Sequence, residues 1–114
     1  MTKITYQEID SILLPWAKEQ VLYVMTKYKD EEVRSITVVN GFGDEFQIYL
    51  APDTDNEETK VIVGADLLRI GGKKYTFHRE SKKFHFRKAV NLANLEAVLN
   101  RALQLTGEWT LEVH

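Results

Sequence analysis

LLRIGGKKYTFHRESKKFHFRKAV, residues 67–90, alternates apolar with polar or charged side chains around two turn signals. That period of two belongs to β-strands, whose successive side chains point to opposite faces. Gly71-Gly72 tolerates the positive φ of a two-residue hairpin turn, and Glu80-Ser81 is the expected tip of a second hairpin. In that register Phe77 lies opposite Phe84 and Tyr75 opposite Phe86, so four aromatic rings share one inward face. The alternate positions, Lys74, Thr76 and His78 on one strand and Lys83, His85 and Arg87 on the other, form a basic stripe facing outward.

Upstream the pattern continues. Val33–Val39 is β-branched and reads as a strand, Asn40-Gly41-Phe42-Gly43-Asp44 as a turn, and Phe46, Ile48 and Leu50 alternate with Gln47 and Tyr49 as a half-buried strand. Ala51–Thr59 is an acidic loop, followed by short strands at Lys60–Gly64 and Leu67–Ile70. Helices flank this block. Thr5 and Glu8 have the spacing of a capping box. Ile9, Ile12, Leu13, Trp16, Ala17, Val21, Val24, Met25 and Tyr28 keep one helical phase through Pro15, predicting a kinked helix, or two abutting ones, up to Tyr28. Asn91 is placed to cap a helix over Leu92–Leu105, with Gly107 as its stop. Trp109, Leu111 and Val113 then alternate with polar residues, predicting a closing strand. The fold class is therefore α+β: an antiparallel meander of about five or six strands, with an N-terminal kinked helix and a C-terminal helix packed on one face.

The 114 residues make one domain (1–114), with 44% hydrophobic and 28% charged residues and no cysteine. The missing cysteines exclude disulfides and thiolate chemistry and fit a reducing compartment. No signal-like or membrane-spanning apolar run occurs, so the expected location is the cytoplasm and no membrane partner is expected.

Charge is strongly segregated. Residues 1–68 hold six lysines and arginines against thirteen acids, whereas residues 69–88 hold eight against Glu80 alone. The stripe of Lys74, His78, Lys83, His85 and Arg87, and the acidic loop with Asp53, Asp55, Glu57 and Glu58, are the candidate partner-binding residues. Nucleic acid fits the stripe less well than protein does, because in this register the aromatic rings sit on the opposite face from the charges and the chain is acidic overall, at −2.

The remaining constellations fall short of chemistry. His78 and His85 share a face but have Lys83 and Arg87 as neighbours, which repel a cation, so no metal site is expected. With Asp53 at the first position of a calcium loop, the glycine and glutamate required at the sixth and twelfth fall on Glu58 and Gly64. Gly41-Phe42-Gly43 lacks the third glycine and the helix of a phosphate loop. Ser11, Ser35 and Ser81 stand in no nucleophile elbow. The expectation is a non-enzymatic, cofactor-free module that binds a protein. Its size and character are those of small immunity proteins and secretion chaperones, an analogy of class that no motif carries. The alternatives are a nucleic-acid-binding domain using the stripe at 69–88, and a structural or self-assembling subunit. A homodimer formed by pairing of the C-terminal strand is a further expectation.

Overall fold

The chain begins as its capping box dictates. In the computed structural model, which describes residues 4–54, 60–76 and 83–114, the Glu8 amide donates to the Thr5 hydroxyl and the Thr5 amide to the Glu8 carboxylate, each at 3.2 Å. This starts helix α1, Tyr6–Glu19, which runs through Pro15. α1 does not reach Tyr28. It closes in a Schellman motif: the Leu22 amide donates to the Ala17 carbonyl and the Val21 amide to the Lys18 carbonyl. Val21 occupies the left-handed position (φ 57°) and is 91% exposed. That position usually takes glycine, so the stop carries no sequence signal. Val24, Met25 and Tyr28 leave the helical phase, and Met25–Tyr28 forms strand β1.

Six antiparallel strands form one curled sheet. Lys29 and Asp30, both at positive φ, turn β1 into β2, Glu31–Val39. Asn40 organises the next turn, its side-chain oxygen accepting from the Phe42 and Asp44 amides, and leads to β3, Glu45–Pro52. The two short strands expected between Lys60 and Ile70 are one ten-residue strand β4, Val61–Ile70, hydrogen-bonded to neighbours on both sides. Gly71 and Gly72 adopt the expected positive-φ turn into β5, Lys73–Lys74.

The second hairpin is corrected. β6, His85–Val90, pairs with β4, so β5 and β6 lie one after the other along the same edge of β4. Phe86 stands opposite Ala65 rather than Tyr75, and Tyr75 meets Phe84 edge-on at 5.6 Å. All three rings pack toward the core as expected; Phe77 and the turn at Glu80-Ser81 lie outside the described residues. A strand with two hydrophobic neighbours of equal appeal pairs where more surface is buried, and β4 offers β6 a six-residue register.

Asn91 caps a short 3₁₀ turn, Leu92–Asn94, that feeds helix α2, Leu95–Val113. The closing strand is corrected as well: Trp109, Leu111 and Val113 are helical, and Gly107 lies inside α2. Glycine costs a helix interior about 1 kcal/mol. Burial of Thr106 and of Trp109, which sits 6.2 Å from both Phe46 and Phe84, outweighs that. Leu111 consequently points to solvent, 80% exposed. The strand edge on which pairing of two copies was expected is absent from this segment.

Both helices cover one face of the sheet. Ile9, Leu13 and Trp16 of α1 and Leu95, Leu99 and Ala102 of α2 bury Ile36, Ile48, Leu50, Val63 and Ala65. Trp16 ties the helices together by donating to the Asn100 side chain at 2.7 Å. No helix is long and apolar enough to cross a membrane.

Candidate functional site

Strand alternation sends every second residue to the face that the helices leave bare. Across it, Met25, Ser35, Tyr49, Gly64 and Arg87 form one row spanning β1, β2, β3, β4 and β6. The next row is Thr37, Gln47, Asp66 and His85. On the other side lie Ala51, Ile62 and Ala89, with Val33 two positions before Ser35 on the same face. Among the described residues no helix packs across these side chains, though Tyr6 of α1 reaches their β1 end, and most are half-buried. The face therefore grades from an apolar row through a mixed row to a polar one.

Gly64 shapes its centre. A Cβ on Gly64 would lie 2.0 Å from Tyr49 Cζ and 2.3 Å from its hydroxyl oxygen. The tyrosine ring thus lies across β4 in the space a side chain would fill, and its hydroxyl sits over Gly64. Burial raises the Tyr49 phenol above its usual range; the Asp66 charge pushes the same way and Arg87 opposes it. Asp66 is paired with His85 Nδ1, and Gln47 donates to the Ser35 hydroxyl at 2.9 Å. At the β1 end a depression of about 460 Å³ opens between Tyr6 of α1 and Met25, Tyr28, Val33, Tyr49 and Ala51 of the sheet, within the size range of ligand-binding clefts.

The residues singled out in the sequence are separated. Lys74, Lys83 and Arg87 are exposed, on or beside the strands that line one edge of β4. His85 is half-buried and engaged with Asp66, so it is no open member of a basic stripe. Asp53 lies just past Pro52, where its amide closes the β3–β4 connection on the Lys60 carbonyl. Lys74 pairs near the other end of β4, about 30 Å away along a strand of this length. His78, Asp55, Glu57 and Glu58 lie outside the described residues. Sequence reasoning missed Tyr49, Gly64, Asp66 and Ile62 as a group. The available signal was Gly64 itself, a glycine in a strand interior, which marks a close approach.

Two other charged clusters serve the architecture. Arg34, 6% exposed, grips Asp10 with two hydrogen bonds (2.7 and 2.9 Å), Glu32 (2.9 Å) and the Val33 carbonyl (2.7 Å), beneath the Tyr6 ring. Its pKa is raised chiefly by the Asp10 hydrogen bond, against the cost of burial. Asp44, 0% exposed, accepts from Asn40 (3.0 Å), the Gly71 amide (2.9 Å) and His114 (2.7 Å), stapling both hairpin turns to the end of α2. Burial alone would raise its pKa, but these hydrogen bonds and the His114 charge hold it below the ordinary value. Among the described residues no three His, Asp or Glu side chains converge as a metal site requires. No protein-family model, curated protein or solved structure matches the chain, so the capabilities of the site are read from its own geometry.

Proposed function

We propose that this protein is a non-enzymatic binding module that holds a protein partner on the helix-free face of its sheet. The observation that supports this reading is the apolar row of Val33, Ala51, Ile62 and Ala89 beside Met25 and Tyr49, half-exposed and outside the core cluster. Charged surface steers association and sets specificity, but affinity comes from a desolvated apolar centre. Arg87, Asp66 and Thr37 form a polar rim on one side of the row, and Asp53 lies two residues beyond Ala51 on the other. Tyrosine, methionine and arginine, all present here, are enriched in protein interfaces.

The test is site-specific photo-cross-linking in the native host. A chain carrying benzoylphenylalanine at Ile62 is expected to trap one protein, and a chain carrying it at Gln104, exposed on α2, to trap none. Equal labelling from both positions, or none from Ile62, would remove the reading.

A further inference from the structure

We infer that the partner presents a carboxylate side chain beside an apolar one, and that Tyr49 and Arg87, neighbours across Gly64, receive this carboxylate. The inference rests on the proposed use of the helix-free face and names the chemistry of its occupant.

Three observations converge on this point. First, Tyr49, Gly64 and Arg87 stand in one cross-strand row. With no side chain on Gly64, the Tyr49 hydroxyl lies above the β4 backbone, on the strand that Arg87 faces. A phenol and a guanidinium are thereby neighbours across the buried Gly64, and both donate to a carboxylate.

Second, the charge there is unspent. Arg87 is exposed, and among the described residues no carboxylate lies within ion-pairing distance of it. Asp66, the acid in the neighbouring row, is paired with His85. Lys83 and, farther along the same edge of β4, Lys73 and Lys74 are also exposed, so this edge of the sheet is complementary to an acid.

Third, the apolar row lies on the far side of the Tyr49 row. A segment whose carboxylate meets Tyr49 and Arg87 places a neighbouring side chain over Ile62 or over Ala51, which lines the depression at β1. A polyanion tracking the face would run from Arg87 onto this uncharged row and toward Asp53, whereas a single carboxylate needs only the Tyr49–Arg87 position. An acidic protein segment is therefore favoured over nucleic acid.

A random peptide library displayed on phage, panned against the full chain, tests this directly. Wild type is expected to enrich peptides with Asp or Glu adjoining an apolar residue. Arg87→Glu, a surface change whose folding is checked by its amide NMR spectrum, is expected to weaken those peptides at least about tenfold and to enrich Lys or Arg instead. Tyr49→Phe keeps the ring over Gly64 and is expected to weaken them about threefold, the order of one lost hydrogen bond. Peptides that depend on Ile62 but show no acidic preference would overturn this inference and leave the proposed function standing. Peptides insensitive to both Ile62→Asp and Arg87→Glu would overturn both. Binding of a fluorescein-labelled dT12 oligonucleotide, lost in Arg87→Glu, would assign the face to nucleic acid and overturn the inference as well.

Discussion

On the face that carries the helices, Ile36, Ile48, Val63 and Ala65 are fully buried, and Arg34 has its donors taken up by Asp10, Glu32 and backbone carbonyls. On the other face the same strands present Thr37 exposed and Gln47, Tyr49 and Ile62 half-buried, and the arginine there, Arg87, has no described ion-pair partner. The strands are shared, so propensity cannot account for the difference; what differs is what each row meets. Buried polar groups must be satisfied within the fold, and Arg34 and Asp44 are. Groups left toward solvent on a half-apolar face are instead available to another molecule.

The largest effect that separates the faces is core truncation. Leu99→Ala, at a fully buried position of α2, is expected to cost about 3–4 kcal/mol by urea unfolding, whereas Ile62→Ala should cost less than about 1 kcal/mol. Comparable losses would mean that the open face is packed as tightly as the core. Next is the buried ion pair: Asp10→Ala leaves Arg34 with Glu32 as its one carboxylate among the described residues and should cost about 3 kcal/mol. A negligible loss would show the Arg34 cluster to be ornamental.

A third comparison uses acid. Asp44 has its folded pKa depressed below 3.8, so it contributes stability that is present above pH 3.8 and lost as pH falls through the lower folded value. Asp44→Asn should flatten the stability–pH curve in that acid window. An unchanged curve would show that the staple at the end of α2 does not titrate.

The smallest effect probes the open face. Gly64→Ala should push the flexible Tyr49 ring away from β4 and change stability by less than about 1 kcal/mol. In wild type, tyrosine absorbance at 295 nm should show one phenol ionising above the usual 10.0, because Tyr49 is held neutral by burial and by Asp66. The stability tied to that phenol is present below 10.0 and lost as pH rises through the folded value. In Gly64→Ala the Tyr49 ionisation should return toward 10.0; if it does not, the ring is held by something other than the space at Gly64.

Much of the fold was legible because local rules and tertiary packing agreed. The Thr5–Glu8 capping box, the Gly71-Gly72 turn, the Asn91 cap and the alternation in β3 each act within a few residues. The failures arose where packing overrode the local signal. Val21 ends α1 in a conformation a β-branched residue disfavours, so nothing in the sequence marks the stop. Gly107 continues α2 because Thr106 and Trp109 are buried on either side of it. The alternation of Trp109, Leu111 and Val113 fits a strand, and only the exposure of Leu111 distinguishes the helix. Of the site, Arg87 and the basic edge were visible as charge, but the apolar row was not. It depends on β6 pairing with β4, and strand pairing between distant segments is set by register rather than composition. Once that pairing is known, Gly64, Tyr49 and Arg87 fall into one row.

If the helix-free face serves binding and not folding, Ile62→Asp separates the two roles. Its stability by urea unfolding should fall by no more than about 1–2 kcal/mol, well short of Leu99→Ala, while the protein trapped by benzoylphenylalanine from a position on this face is no longer captured. Unfolding on the scale of a core substitution, or undiminished capture of the same protein, would contradict the claim.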